Sequence, residues 1–370
     1  MVFTILLITL AVIVGIQFIY YIFIFGQFSF AKKTTSTTLT KVPVSVIVCA
    51  KNEVENIKKF FPILITQNYP EYEIVLIDDA STDETLELFE EYEKEYTNVK
   101  VVKVKNNETF WGNKKYALTL GIKAAKNDYL LFTDADCFPN TKNWISQMAE
   151  QFTNEKSIIL GYGAYEKIKN SFLNKIIRLE TLLTATQYFG WAKIGKPYMG
   201  VGRNLAYTKK EFYSAGGFIE HMKVRSGDDD LFVNQVANKS NTAICFTPES
   251  FTYSEPKKSF KDWFNQKRRH VSTAKLYKGF DRFQLGLFYI SQLLFILLAV
   301  ILLAFQFEWM LVLGLIIFRY AFTWVSLGYA AGKLNEKDTL PWFPIIEILL
   351  IFTQLNVFFT NLFSKPVHWK

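Results

Sequence analysis

Two aspartates spaced two positions apart, Asp134 and Asp136, are the residues of this chain whose type and spacing point most directly to chemistry. They follow an apolar run that begins at Tyr129 and is long enough for one buried strand. Because side chains alternate along a strand, this spacing predicts that both carboxylates lie on one side of the strand end. Such carboxylates raise each other's pKa, and a cation between them relieves the repulsion. Oxygen ligands of this kind suit Mg²⁺ or Mn²⁺, which commonly also bind substrate phosphates.

An isolated Asp-x-Asp is more often a pair of solvated aspartates in a turn, so the elements around this pair decide its interpretation. Strand-like runs at 44–50, 73–77 and 99–104 alternate with helical patterns, which predicts βαβ units and a parallel sheet. The carboxyl ends of such strands meet along one edge of the sheet, where these folds bind ligands. Four polar residues follow the first two strands, and we expect them beside the aspartate pair: Asn52, Glu53, Asp78 and Asp79.

Long apolar segments flank the polar part of the chain. Residues 1–31 carry no charged side chain, and about three further apolar segments fall within residues 283–363. Each is about as long as the ~20 residues that span a bilayer. We therefore predict an N-terminal transmembrane anchor (1–31), a polar α/β domain (41–280) and C-terminal transmembrane segments (283–363). Within the domain, helices at about 171–195 and 259–278 are expected to lie at the membrane surface.

Charge and cysteine content bear on location and partners. Lysines follow the first apolar segment, and only the amino terminus precedes it, so the positive-inside bias places the polar domain in the cytoplasm, at the cytoplasmic (inner) membrane. The net charge of +8 suggests contact with membrane lipids, and the absence of a basic-aromatic recognition motif argues against nucleic acid. Three scattered cysteines without a Cys-x-x-Cys pattern indicate neither a disulfide framework nor a zinc site.

Six short motifs resemble, in the same order, those of the family 2 glycosyltransferases. They are Pro43–Glu53, Ile77–Asp83, Asp134–Asp136, Gly200–Tyr207, Ser226–Leu231 and Gln266–His270. The resemblance implies a GT-A fold, which is Rossmann-like and mostly parallel, and inverting transfer from nucleotide-diphospho-sugars. With its flanking apolar segments, the chain is similar to the membrane-embedded synthases of hyaluronan, chitin and poly-N-acetylglucosamine.

The resemblance assigns donor-binding roles to residues at the strand ends. It implies that Asn52, Glu53 and Asp78 or Asp79 hold the nucleoside, and a carboxylate can accept the imino hydrogen of a pyrimidine, so a UDP-sugar is the favoured donor. Asp134 would face sugar or ribose hydroxyls, and Asp136, with Asp134, would hold Mg²⁺ or Mn²⁺ on the diphosphate. The metal would neutralise the departing nucleoside diphosphate. Lys114 would contact phosphate, although an exposed lysine at a helix start is an equally good interpretation.

Three adjacent carboxylates, Asp228, Asp229 and Asp230, provide the candidate general base. They cannot all ionise comfortably when partly buried, so one should have a raised pKa. The resemblance selects Asp229 as the base that takes the proton of the acceptor hydroxyl. The alternative is a capping cluster, in which Asp228 or Asp230 caps the helix that follows.

Further motif residues would serve the acceptor and the diphosphate. They are Gly202, Arg203, Gln266 and Arg269. His270 stands where the resembled motif has tryptophan, which puts processive polymerisation in doubt. The alternative for this basic stretch is a helix at the membrane interface.

These observations predict a membrane-bound, metal-dependent inverting glycosyltransferase that acts on a lipid-linked or growing saccharide acceptor in cell-envelope polysaccharide or glycolipid synthesis. Three alternatives stay open. They are a processive polysaccharide synthase, a single transfer to a polyprenyl-phosphate or ceramide-type lipid, and a non-catalytic sensor of nucleotide sugars.

Overall fold

The computed structural model describes residues 1–32, 41–105, 114–224 and 226–364. The chain folds as two compact units that each combine separate stretches of sequence. The α/β unit contains residues 41–168 and 195–257 of the described chain, and the helical unit contains residues 1–32, 169–194 and 258–364.

The α/β unit is built on a seven-stranded sheet and a three-stranded sheet, with strand orders β3-β2-β1-β4-β8-β6-β9 and β5-β10-β7. The strands are β1 (Val44–Ala50), β2 (Tyr72–Asp78), β3 (Val99–Lys103), β4 (Tyr129–Asp134), β5 (Cys137–Pro139), β6 (Ile158–Leu160), β7 (Gly163–Tyr165), β8 (Leu205–Thr208), β9 (Thr242–Ile244) and β10 (Thr252–Ser254). Strands β1 to β4 pair in parallel, whereas β8 is antiparallel to both β4 and β6. This arrangement confirms the mostly parallel α/β fold predicted from the sequence.

The parallel strands are the buried centre of this unit. All seven residues of β1 are buried, which is why the sequence there is a continuous apolar run rather than an alternating one. The helices of the unit are α3 (Val54–Ile65), α4 (Thr85–Glu95), α5 (Lys114–Ala124), α6 (Trp144–Ala149), α8 (Lys209–Ser214) and α9 (Asp230–Val236). The strand order brings the carboxyl ends of β1, β2 and β4 to one edge, where the polar residues of the sequence motifs lie.

The helical unit contains α1 (Val2–Phe18), α2 (Gly26–Ser29), α7 (Phe172–Lys193), α10 (Phe260–Val271), α11 (Gly279–Ala304), α12 (Trp309–Lys333) and α13 (Phe343–Phe363). A π-helical turn, Ile19–Ile24, joins α1 to the segment before α2. In the described chain, four helical stretches are long and apolar enough to cross a membrane: Val2–Ser29, Gly279–Ala304, Trp309–Lys333 and Lys337–Phe363. Gly190 on α7 lets the backbones approach closely, because a Cβ there would lie 2.9 Å from the carbonyl oxygen of Ile24.

The interior of the helical unit contains an ion pair between two residues whose contact could not be predicted from the sequence. Arg319 and Glu347 are 0% and 2% exposed, and the Nη1 of Arg319 donates to Oε2 of Glu347 at 2.7 Å. Gln17 completes the network: its Oε1 accepts from Arg319 Nε at 2.7 Å, and its Nε2 donates to the Ser291 carbonyl at 2.9 Å. The network links α1, α11, α12 and α13, as expected for charges buried in apolar helices.

Candidate active site

Asp134 and Asp136 lie close together at the end of β4. Strand β4 ends at Asp134, and Asp136 lies in the turn that leads into β5. The turn therefore brings the two carboxylates together, and the expected alternation along one strand is wrong in that respect. Ligand atoms of Asp134, Asp136 and Cys137 all lie within 4.8 Å of one another.

The charges around this turn are only partly balanced. Burial, followed by the negative charge of Asp134, raises the pKa of Asp136, while Arg203 and Lys257 act against this shift. The pKa of Glu53 is also raised, first by burial and then by Asp136 and Asp134, although its hydrogen bond with Asn56 opposes the shift. An added cation at this position would lower the free energy of all three carboxylates.

A divalent metal ion fits the donor set of the β4 turn. The Cys137 thiol donates to Oδ1 of Asp136 at 3.4 Å, and burial followed by the two aspartates raises its pKa well above the ordinary value. Cys137 is therefore a neutral thiol and a poor ligand for a hard cation. The two carboxylates remain, which matches the small number of protein ligands that Mg²⁺ uses when substrate phosphates complete its shell.

Lys114 joins the β4 end to the acidic turn before α9. Its Nζ lies 2.7 Å from Oδ1 of Asp134 and 3.1 Å from Oδ2 of Asp228. Burial opposes the charge of Lys114, but the two carboxylates outweigh it and hold its pKa well above the ordinary value. The same ion pair lowers the pKa of Asp228 in spite of burial, so Asp228 stays ionised.

Asp229 has the opposite electrostatic character. Burial and the neighbouring Asp228 and Asp230 raise its pKa to about 7. Its Oδ2 accepts from the Gly202 N–H at 2.6 Å and its Oδ1 accepts from the Asp230 N–H at 2.7 Å. Asp229, rather than Asp228 or Asp230, is the N-cap of α9. Adjacent carboxyls with pKa values pushed apart are a common arrangement at acid–base sites.

Lys114, Asp134, Gly202, Asp228 and Asp229 line one pocket on the sheet face of β1, β4 and β8. The apolar floor of the pocket comes from Ile47, Phe132, Leu205 and Tyr207, together with Leu118 of α5. Residues separated by more than 100 positions in the sequence thus share one cleft. Lys114, Asp134, Gly202 and Asp229 were predicted as site residues. Asp228, which forms an ion pair with Lys114, was not.

Two side chains that were predicted to bind the donor form hydrogen bonds that stabilise the loops after β1 and β2. The backbone of Asn52 adopts a left-handed conformation (φ 56°), and its Oδ1 accepts from the Thr82 N–H at 2.8 Å. The buried Asp78 carboxylate accepts from the Ser81 N–H at 3.3 Å. Asp79 is 5% exposed, and burial followed by Asp78 raises its pKa against the opposing effect of Lys51. Asn52 and Asp78 therefore shape the loops, and contact of this set with a nucleoside remains a prediction.

Arg203 contacts strands β7 and β10 of the three-stranded sheet. It lies in a short 3₁₀ helix, Gly202–Asn204, directly after the Gly202 N–H that binds Asp229. Its Nη1 donates to the Ala164 carbonyl at 3.0 Å and to the Ser254 hydroxyl at 2.7 Å, and its guanidinium lies over the Tyr165 ring at 4.3 Å. These contacts tie Arg203 to the three-stranded sheet, and its part in acceptor or diphosphate binding stays a prediction.

Gln266 and Arg269 belong to α10 of the helical unit, and their catalytic part also stays a prediction. The neighbouring Arg268 is 8% exposed and anchors α10 on the end of α13. Its Nε donates to Asn361 Oδ1 at 3.0 Å, and its Nη2 donates to the Ser364 hydroxyl at 2.7 Å. Arg268 could not be distinguished from Arg269 before the fold was known, because both lie in one basic run.

Comparison with known proteins agrees with this fold. The family model for Glycosyl transferase family 2 matches residues 45–224, and these residues form a glycosyl transferase family 2 domain. The mannosyltransferase PcManGT from Pyrobaculum calidifontis, solved with GDP-Man and Mn²⁺, superposes with a TM-score of 0.59 at 18% identity, over 90% of this chain and 99% of that one. This likeness establishes the GT-A-like fold.

Two curated relatives extend the comparison to sequence. A poly(ribitol-phosphate) beta-glucosyltransferase from Bacillus spizizenii is 30% identical over 120 residues, which is 32% of this chain and 18% of that protein. A dolichyl N-acetyl-alpha-D-glucosaminyl phosphate 3-beta-D-2,3-diacetamido-2,3-dideoxy-beta-D-glucuronosyltransferase from Methanococcus voltae is 30% identical over 160 residues, 41% of this chain and 49% of that protein. The chain thus spans half or less of the length of these relatives.

Proposed function

We propose that this protein is a membrane-bound inverting glycosyltransferase that moves a sugar from a nucleotide-diphospho-sugar to a lipid-linked or growing saccharide acceptor. The observation that carries the proposal is the pocket that Lys114, Asp134, Asp228 and Asp229 line together, with Lys114 paired to Asp134 and Asp228. Lys114 and Asp134 lie within the residues that the family 2 model matches. The acceptors named for the two relatives, a poly(ribitol-phosphate) and a dolichyl-phosphate-linked sugar, support this acceptor class.

Asp229 is proposed as the general base. The acceptor oxygen attacks the anomeric carbon, its proton passes to a carboxylate oxygen of Asp229, and the bond between that carbon and the diphosphate oxygen breaks. A carboxyl with a pKa of about 7 exists in both protonation states near neutral pH, so it can take the proton and release it after each transfer. The N–H groups of Gly202 and Asp230 hold the carboxylate in one orientation.

The donor is proposed to bind at the ends of β1, β2 and β4. Asp134 and Asp136 would hold a divalent cation, Mg²⁺ or Mn²⁺, which would offset charge on the departing nucleoside diphosphate. Lys114 would supply a second positive charge beside the same phosphates. Asp78 or Asp79 would accept a hydrogen bond from the base, and a UDP-sugar is the proposed donor, with GDP-sugars as the alternative that the assay must include.

The protein is proposed to act at the cytoplasmic membrane, with the α/β unit in the cytoplasm. Four helical stretches in the described chain have the length and apolar character of membrane spans. Lysines follow the first stretch, and no charged side chain lies within it, which favours this orientation under the positive-inside rule.

The experiment is a donor panel with the full-length protein in lipid nanodiscs. UDP- and GDP-sugars are each supplied with a membrane lipid extract as acceptor, and release of the nucleoside diphosphate is followed with Mn²⁺, with Mg²⁺ and with chelator. The proposal expects release from at least one donor, lost on chelation. Binding of nucleotide sugars without any release would favour the sensor, and the length of the labelled product would separate single transfer from processive synthesis.

A further inference from the structure

Lys115 is a buried lysine with a role that its neighbour Lys114 does not share. Its side chain is 0% exposed. Its Nζ donates to three backbone carbonyl oxygens, those of His221 at 2.9 Å, Val224 at 3.0 Å and Ser226 at 2.8 Å. An ammonium group carries three protons, so three carbonyl acceptors match its donors.

The carbonyl oxygens that bind Lys115 come just before the acidic turn, Gly227–Asp229. Ser226 is followed by Gly227, Asp228 and Asp229, so the two carboxylates come two and three residues after the last clamped carbonyl. Gly227 has a φ of +89°, and a Cβ there would lie 2.5 Å from Cδ1 of Leu231 on α9. The turn is therefore fixed by Lys115 on one side and by the start of α9 on the other.

An ordinary loop anchor elsewhere in the α/β unit provides a comparison. Lys156 donates to the carbonyl oxygens of Lys239 and Ser240, at 2.8 Å each, and these bonds lie at the surface. A surface lysine keeps most of its hydration, whereas a fully buried ammonium gives up its hydration and must find all of its partners in the protein. Burial of Lys115 at this position therefore needs a reason beyond tethering a loop.

We propose that Lys115 is a positioning residue that fixes the acidic turn, so that Asp229 meets the Gly202 N–H. This inference rests on the proposed glycosyl transfer. Removing the clamp should displace Asp229 relative to the acceptor while the donor-binding ends of β1, β2 and β4 keep their geometry. The expected signature is a fall in kcat with an unchanged KM for the donor.

The test compares Lys115→Met with Lys156→Met in the full-length protein in nanodiscs. Both substitutions remove an ammonium that binds loop carbonyls, but only the first lies under the acidic turn. We expect kcat of Lys115→Met to fall by about 100-fold, the scale of a 1 Å displacement at a reacting group. The donor KM and the affinity for nucleoside diphosphate should stay at the wild-type values, and Lys156→Met should behave as wild type.

Three results would overturn the inference. They are equal kcat values for the two variants, a loss of donor affinity that parallels the loss of kcat, and a wild-type kcat in Lys115→Arg. The arginine variant is included in case Lys115→Met does not fold, because a planar guanidinium keeps the charge but cannot aim three N–H groups as the ammonium does. A wild-type protein that releases no nucleoside diphosphate from any donor would refute the proposed function instead, so the two failures are distinguishable.

Discussion

Replacing Asp229 by asparagine should change activity and stability in opposite directions at alkaline pH. The variant cannot accept the proton of the acceptor hydroxyl, so turnover should be abolished at every pH while the donor still binds. In the wild type, kcat/KM should rise with pH and reach half of its maximum near pH 7, because burial, Asp228 and Asp230 raise the pKa of Asp229 to about 7. Activity at acid pH falls because the base is then already protonated.

The magnitude of the stability effect follows from the same pKa. An aspartate in the unfolded chain has a pKa of about 3.9, so a folded value of about 7 corresponds to an ionisation cost of roughly 4 kcal/mol in the native state. The folded pKa is the higher one, so this cost is absent below about pH 4 and complete above about pH 7. The contribution of Asp229 therefore lowers the free energy of unfolding of the wild type over that range. The asparagine variant lacks this contribution.

Asparagine also loses one of the two backbone hydrogen bonds at this position. Its amide oxygen can accept from either Gly202 or Asp230, but its NH₂ group cannot accept from the other, at a cost of about 1–3 kcal/mol that does not depend on pH. Because this cost is the same at every pH, it cancels when the difference in free energy of unfolding between variant and wild type is compared at two pH values. From pH 5 to pH 8, the free energy of unfolding of the variant should gain roughly 2–3 kcal/mol relative to the wild type.

Thermal unfolding of the full-length proteins in detergent measures this gain. For a unit of this size, such a gain corresponds to about 4–12 °C in Tm. The Tm of the variant relative to that of the wild type should therefore rise by this amount between pH 5 and pH 8. Asp83→Asn is the matched control, because hydrogen bonds from Thr85 outweigh burial and lower the pKa of Asp83, so its titration is complete below pH 5. The assignment of Asp229 as the base would be refuted by turnover in Asp229→Asn. It would also be refuted if the Tm of this variant relative to wild type changed no more between pH 5 and pH 8 than that of the control.

Three further predictions concern packing and reactivity. Gly121→Ala should destabilise the α/β unit by about 1–3 kcal/mol in chemical unfolding, because its Cβ would lie 2.1 Å from Cδ1 of the buried Ile77; an unchanged midpoint would contradict the packing of α5 on β2. Glu347→Gln should cost about 3–5 kcal/mol because Arg319 would be left charged and buried. Thermal unfolding should recover most of that loss when Arg319→Met is added, and failure to recover would exclude the ion pair as the cause. All three cysteines are buried, so the native protein should react with no thiol reagent within minutes and with three equivalents after denaturation; fast native labelling would contradict their burial.

The parallel half of the fold was predictable because its strands are continuous apolar runs. Strands β1, β2, β3 and β4 lie within one residue of the predicted bounds, since a strand buried on both faces leaves a run of Val, Ile and Leu that ends at a polar break. The later strands have three or four residues each, which is too short for a periodic signal. The second sheet, made by β5, β7 and β10, was not predicted for that reason.

The candidate site was predictable where topology alone brings residues together. Asp134 and Asp136 could be placed at a strand end, and Asp229 could be chosen from a motif. The contact of Lys114 with Asp228 could not be predicted, because the two residues are separated by more than 100 positions and meet only in the folded unit. Lys115 gave no signal either, since a second lysine at a helix start is indistinguishable from a solvated one until its burial is known.

The most direct test of the account is the calorimetric affinity of the full-length protein for UDP and GDP, measured with and without Mn²⁺. Mn²⁺ should tighten the binding of one of these nucleotides in the wild type. Asp136→Asn should remove this gain while the metal-free affinity stays the same. Equal affinity with and without Mn²⁺ and Mg²⁺, in a wild-type protein that binds either nucleotide, would contradict the assignment of the β4 turn as the metal and diphosphate site.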